Sequence, residues 1–278
     1  MIQNLHKGTA FRKRKSCSSS NLNEAGGPFL WHSGQAVMGR PAVIAHAGAS
    51  SEQAANSRAA FHLAKHLHAD AVEADVRLTA DGGVICLHDE TLFIGSERVE
   101  VAQTSYHELL NMSPEVATLQ EVVDLGLPLY LDIKEPSVRA KLAVLQLLNE
   151  RSDAERFIVG ISTVKESDFL AENCPRIHQV GLMLPDSELE EFASKRLAGQ
   201  WIRLHEPRAT PSKIACFRDY GVKIMVTCGS DRSRSGQIDP TSFPKLIAAQ
   251  PDALVVSDPA LAISEMARVS DHYRENLG

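Results

Sequence analysis

Long apolar runs are missing from this 278-residue chain. No consecutive stretch of hydrophobic residues exceeds about four, as at Ala253–Val256, whereas a membrane-spanning helix needs ~20. The expectation is a protein without a transmembrane segment and with a cytoplasmic location. A secretory leader is not visible either, because the basic run at residues 12–15 is followed by serine rather than by about 7–15 apolar residues. Cysteine is sparse. The five thiols (Cys17, Cys86, Cys174, Cys216, Cys228) are odd in number, widely spaced and never arranged as Cys-x-x-Cys. That excludes zinc-ribbon and thioredoxin-like readings and a dense disulfide framework, and it fits a reducing compartment. An excess of positive charge is also absent: 29 Lys and Arg face 35 Asp and Glu, a net of −6. A general nucleic-acid binder needs clustered cations to neutralise phosphates, so that class is set aside.

The charge that is present is unevenly spread. Residues 1–40 carry a net +5, leaving −11 for residues 41–278. The front end shows no apolar period and is interrupted by Gly26-Gly27-Pro28, so residues 1–40 read as a basic, disordered tail. Residues 41–278 read as one domain.

Within that domain, short apolar runs alternate with amphipathic stretches. The strand-like runs fall at residues 42–46, 71–77, 129–134, 157–161, 180–184, 201–205, 223–227 and 253–257, with an extra short one at 84–88. Between them, Ala60, Leu63, Ala64, Leu67 and Ala71 recur at helical spacing, as do Val138, Leu142, Leu145 and Leu148. Later helices are expected at 187–195, 212–220, 242–250 and 261–269. Continuously apolar strands separated by helices imply a parallel sheet covered on both faces. Eight such units in this length predict a (β/α)8 TIM barrel with a small insertion after strand 2. The competing open sheet would carry a Gly-x-Gly-x-x-Gly turn after its first strand, and His46-Ala47-Gly48-Ala49-Ser50 stands there instead.

In a barrel, chemistry sits at the C-terminal ends of the strands. Those ends carry His46, the Glu73-Ala74-Asp75 stretch, His88-Asp89 and Asp132-Ile133-Lys134. Side chains alternate along a strand, so Glu73 and Asp75 share a face, as do Asp132 and Lys134. Carboxylates converging in an apolar barrel repel unless a cation lies between them, which makes Glu73, Asp75 and Asp132 candidate ligands of one hard divalent ion, Mg2+ or Ca2+. Two imidazoles, three carboxylates and a lysine together suit phosphodiester chemistry. One histidine takes a proton from the attacking oxygen, the other protonates the leaving alkoxide, and Lys134 offsets phosphoryl charge. His62 and His66 stand four apart but opposite the apolar stripe, so they read as a solvated helix face. Arg77 shares the parity of Glu73 and Asp75 and is a candidate phosphate contact unless it lies beyond the strand end.

The stretch from residue 43 to 92, with His46-x-Gly48, Asn56-Ser57, Glu73-x-Asp75-Val76, Leu78-Thr79-x-Asp81-Gly82 and His88-Asp89, resembles the glycerophosphodiester phosphodiesterase family. That family belongs to the phosphatidylinositol phospholipase C-like superfamily of (β/α)8 barrels. Asp132-x-Lys134 is similar to its Glu-x-Lys, and Val255-Val256-Ser257-Asp258-Pro259 to its closing strand. The resemblance implies that His46 and His88 are the catalytic acid/base pair, that Glu73, Asp75 and Asp132 hold the metal, and that Lys134 binds substrate phosphate. It also implies attack by a vicinal hydroxyl through a cyclic phosphate that water then opens.

Three departures from the family pattern stand out. Ala47 occupies the position of an arginine, Ala55 that of a glutamate, and Thr227-Cys228-Gly229-Ser230 that of an aromatic-led motif. Arg203, on one face with Trp201 and His205, is the candidate replacement for the missing phosphate-binding arginine. The substrate is expected to be a small-molecule phosphodiester. The alternatives are a sugar-phosphate diester of the agrocinopine type, or a retired barrel that binds phosphorylated ligands without turnover. Residues 93–117, long for a connection, are expected to cap the mouth.

Overall fold

A computed structural model of the protein describes residues 30–33, 40–135, 138–182, 184–229 and 235–275. The basic run at residues 12–15 and the rest of the expected tail up to residue 29 lie outside the described residues, as do Ser230 and its four successors.

Eight parallel strands close on themselves. They are β1 (Ala42–Ala45), β2 (Ala71–Leu78), β6 (Leu129–Ile133), β7 (Phe157–Ile161), β8 (His178–Gly181), β9 (Trp201–His205), β10 (Lys223–Thr227) and β11 (Ala253–Val256). β1 pairs with both β2 and β11, which completes the barrel. The connecting helices include α2 (Arg58–His66), α4 (Leu119–Asp124), α5 (Val138–Asn149), α6 (Val164–Asn173), α7 (Asp186–Ser194), α8 (Pro211–Asp219), α9 (Phe243–Ala248) and α10 (Pro259–Glu275). Their starts follow from local chemistry. The Ser57 hydroxyl accepts from the Ala60 N–H at the head of α2, and Thr118 with Glu121 forms a reciprocal capping box on α4.

The barrel interior is one cluster of inward-facing side chains to which every strand contributes: Ala42, Ile44, Ala71, Tyr130, Ile158, Val180, Trp201, Met225, Ala253 and Val255. Small residues at Ala42, Ala71 and Ala253 leave room for Tyr130 and Trp201. Alternation then places His46, Glu73, Asp132, Arg203, Thr227 and Ser257 two residues further along the same inward face. The rule that fills the core with apolar groups therefore lines the mouth with polar ones.

Four features differ from the sequence-based expectations. β8 begins at His178 rather than residue 180, because Gln179 is buried with both amide ends bonded to Ser167 and so sits in a strand despite its polarity. β2 runs beyond the barrel and pairs antiparallel with β3 (Val84–Cys86), which is shorter than the 84–88 run. None of residues 93–117, expected as a cap, lines the cavity at the barrel mouth. With β4 (Thr91–Ile94), they form the hairpin partner β5 (Glu97–Glu100) and α3 (Tyr106–Met112), folded over a small core of Ile85, Val101, Leu109 and Val116. Finally, α1 (Leu30–Ser33) falls inside the span assigned to the tail, yet Leu30 and Trp31 are buried. Trp31 joins the interior cluster at the N-terminal end of the barrel, donating from Nε1 to the Arg156 carbonyl at 2.8 Å. Trp201 Nε1 donates in turn to the Trp31 carbonyl, and the two indoles meet edge to face. Two residues are too few to show a period, so this contact has no sequence signature. Among the described residues, no helix is long and apolar enough to cross a membrane.

Candidate active site

β2 and β6 lie side by side with Glu73 opposite Tyr130 and Asp75 opposite Asp132. That register sets three carboxylates at one corner of the mouth, where one oxygen from each of Glu73, Asp75 and Asp132 lies within 4.8 Å of the others. Glu73 and Asp75 are buried. The Ala47 N–H donates to Glu73 at 2.8 Å. Burial, followed by the charge of Asp75, raises the Glu73 carboxyl well above its ordinary range. A buried group that resists ionising beside two other carboxylates is a donor set short of positive charge. Three hard oxygens at this spacing fit a divalent cation of the Mg2+ or Ca2+ kind.

Asn56 fixes Asp75 from both sides, donating from Nδ2 to its carboxylate at 2.9 Å and accepting from its backbone N–H at 3.2 Å. Asn56 has φ +61°, a left-handed conformation that asparagine tolerates better than most residues. Its role was not read from the sequence, although it sits inside the Asn56-Ser57 motif. Lys134, just past β6, places Nζ 2.8 Å from Asp132 and 3.1 Å from Asp75. Burial opposes the Lys134 charge, but Asp132 and Asp75 outweigh it and raise its pKa.

His46 follows β1 and sits largely enclosed. Burial, then the nearby Arg203 guanidinium, lowers its pKa to about 4, so the ring is neutral at pH 7. The loop from β10 crosses behind it at Gly236, which has φ +85°. A Cβ at this position would fall on Ser257 Oγ and 3.0 Å from His46 Nδ1, so only glycine lets the loop approach the ring. His88 reaches the mouth by another route. β3 turns back along β2, the Leu87 N–H donates to the Asp75 carbonyl, and the exposed His88 ring faces Asp89, with Nδ1 2.8 Å from its carboxylate. Arg77 donates to the backbone carbonyls of both His88 and Lys134, so it clamps the two chain segments that carry site residues. It does not line the cavity.

Arg203 extends from β9 into the mouth. Nε donates to Thr227 Oγ1 at 2.6 Å and Nη1 to the Tyr130 hydroxyl at 3.1 Å. Burial works against its charge, but Tyr130 and Glu73 more than compensate and keep it protonated.

These groups surround a cavity of about 550 Å3 that also exposes Ser50, Ser51, Ala55, Ser235, Gln237 and Ser257. His46, Glu73, Asp75, His88, Asp132, Lys134 and Arg203, all named from the sequence, meet there. A larger concavity, about 850 Å3, runs along Pro207, Pro211, Leu246 and Ala249. It contains no imidazole and no paired carboxylates of this kind, so size does not mark the chemical site. His62 and His66 are exposed on α2 and belong to no cluster of three metal-ligating groups among the described residues.

The model of the glycerophosphoryl diester phosphodiesterase family matches residues 46–178, from the first histidine of this cavity to β8. Residues 46–178 are similar to that family, a match over a little under half of the chain. A glycerophosphodiester phosphodiesterase of Caldanaerobacter subterraneus is 50% identical over 50 residues, 18% of this chain and 21% of the relative. The first curated relatives are likewise matched over only 21% of their length. Solved structures cover far more of the fold. A glycerophosphodiester phosphodiesterase from Thermotoga maritima superposes with a TM-score of 0.64 at 22% identity, over 81% of this chain and 98% of its own. An Oleispira antarctica phosphodiesterase, solved with its product sn-glycerol-3-phosphate, gives 0.66 at 20% identity, over 82% and 97%. At these identities the superpositions establish a shared barrel; the likeness to the glycerophosphodiester phosphodiesterase family rests on residues 46–178.

Proposed function

We propose that the chain is a phosphoric diester hydrolase acting on glycerophosphodiester-like substrates with one divalent cation. The observation that carries this reading is the convergence of His46 and His88 on the Glu73, Asp75 and Asp132 carboxylates in one cavity that also holds Lys134 and Arg203. A binding protein has no need of paired imidazoles at such a place.

Glu73, Asp75 and Asp132 would hold the cation, which supplies Lewis-acid stabilisation of phosphoryl charge when bound. Arg203 and Lys134 bind the substrate's phosphoryl oxygens, Arg203 taking the part that Ala47 cannot play. Neutral His46 accepts the proton of the attacking vicinal hydroxyl as its oxygen bonds to phosphorus. The P–O bond to the leaving alcohol breaks, and that oxygen takes a proton from His88. Asp89 can only accept from Nδ1, so the proton given to the leaving oxygen is the Nε2 proton of an imidazolium in which both ring nitrogens donate. Water then opens the cyclic phosphate with the two histidines in exchanged roles.

A second reading, a sugar-phosphate diester, draws support from the hydroxyls of Ser50, Ser51, Ser235 and Ser257 on the cavity wall, which suit a polyol better than an apolar alcohol. A cytoplasmic location is part of the proposal and rests on the scarcity and spacing of the cysteines. The test is a panel of glycerophosphodiesters, sugar phosphodiesters and an aryl phosphodiester, assayed with Mg2+, Ca2+ or a chelator. Metal-dependent turnover of at least one diester is expected. No turnover of any would leave a phosphoryl-ligand-binding barrel.

A further inference from the structure

Lys134 and Arg203, the two cations of the cavity, are held in opposite ways. Lys134 lies on two carboxylates, so much of its charge is already answered by Asp75 and Asp132. Arg203 makes no ion pair among the described residues. Its Nε and Nη1 are taken by two neutral oxygens, the Thr227 hydroxyl on β10 and the Tyr130 phenol on β6. Nη2 has no protein partner among the described residues, and the side chain lines the cavity.

Both anchors come from strands other than β9. Thr227 pairs in register with His205, two residues beyond Arg203, and Tyr130 reaches Arg203 across the barrel from the same register position as Glu73. Tyr130 and Thr227 are both fully buried. Their hydroxyls therefore face the guanidinium without competition from bulk water, and the Tyr130 ring lies beneath it, 5.8 Å from Cζ to centroid. Neutral oxygens orient an arginine without cancelling its charge, whereas a carboxylate would do both. A long side chain held in place before the ligand arrives loses less freedom on binding it.

We propose that Tyr130 and Thr227 are positioning residues that hold Arg203 as the phosphate-facing cation of this site, engaged in no ion pair among the described residues. The proposal rests on the reading of Arg203 as a substrate-phosphate contact. It adds a reason why an arginine on β9 can stand in for one absent at Ala47: two hydroxyls from β6 and β10 fix it in place.

The test combines single and double substitutions, using inorganic phosphate as the probe in competitive inhibition alongside KM for whichever diester is turned over. Tyr130→Phe and Thr227→Val each remove one hydroxyl at nearly constant volume. Each is expected to raise KM and the phosphate inhibition constant about tenfold, the scale of a lost hydrogen bond to a charged group, with metal affinity unchanged. Thr227→Ser keeps the hydroxyl and is expected to stay within about twofold of the parent. Combined with Arg203→Ala, the hydroxyl deletions are expected to have no further effect, since their action passes through the guanidinium. The proposal is overturned if Arg203→Ala weakens phosphate binding but both hydroxyl deletions leave it unchanged. It is also overturned if the deletions cost as much in the Arg203→Ala enzyme as in the parent. If Arg203→Ala itself changes neither constant, the underlying assignment of Arg203 falls first. Two separate hydroxyl deletions keep the question answerable should one variant fail to fold.

Discussion

At the scale of single residues, the site is governed by how three buried carboxylates are made tolerable. Glu73 is the most telling, because burial and Asp75 both favour its protonated form. A cation bound there must displace that proton. Metal affinity should therefore rise with pH, with proton release on binding, and fall as acid returns the proton. Isothermal titration in buffers of different ionisation enthalpy would detect the released proton; a pH-independent affinity without release would contradict the assignment. Glu73→Gln keeps the side-chain shape but not the charge, and is expected to lower kcat/KM by at least about 100-fold with loss of metal binding. Asn56→Ala should weaken metal affinity about 10- to 100-fold while kcat at saturating metal recovers, since Asn56 touches Asp75 and orients a ligand without being one. His46, Glu73, Asp75 and Asp132 were legible in the sequence because each stands at a strand end with a period of two. The contacts of Tyr130 and Thr227 with Arg203 were not, since Tyr130 reads as an ordinary strand residue 73 positions away and Thr227 only as a departure from a family motif.

At the scale of elements, the site depends on how loops are brought against strand ends. The antiparallel return of β3 along β2 carries His88, and the Gly236 loop backs His46. Gly236→Ala puts a methyl against Ser257 and the His46 ring at a left-handed φ. It is expected to lower kcat more than tenfold, by analogy with small misplacements of catalytic groups, while the metal site stays intact. Unchanged turnover would show that the loop does not set the ring's position. The sequence pointed to the extra run at 84–88 but not to its antiparallel pairing, which is a long-range choice that local periodicity does not encode. Residues 93–117 show the same limit: their length suggested a cap, but Val101, Leu109 and Val116 pack on Ile85 and none of the segment lines the cavity.

At the scale of the whole molecule, the barrel is closed at its N-terminal end by Trp31 and open at the other, where the chemistry sits. Trp31→Ala should destabilise the fold by about 3–5 kcal/mol, the usual cost of deleting a buried indole, with kcat/KM of the folded enzyme within about twofold of the parent. Denaturant unfolding with parallel assay separates the two, and a loss of activity without loss of stability would show that α1 communicates with the mouth. The count of eight apolar runs, with no Gly-rich turn after the first, pointed to the closed barrel over an open sheet, which also covers its strands on both faces. The net charge of −6 adds a further expectation for an anionic substrate. Without a basic funnel, kcat/KM should not fall steeply as salt screens the molecule, since long-range attraction contributes little to capture. The central claim, a metal-assisted phosphodiesterase built from His46, His88 and three carboxylates, is tested most directly by chelation. Purified protein is assayed on a glycerophosphodiester before and after removal of divalent ions, and again after Mg2+ or Ca2+ is restored. Turnover that disappears with the metal and returns with it is the predicted result; turnover indifferent to chelation, or none with any metal, would contradict the account.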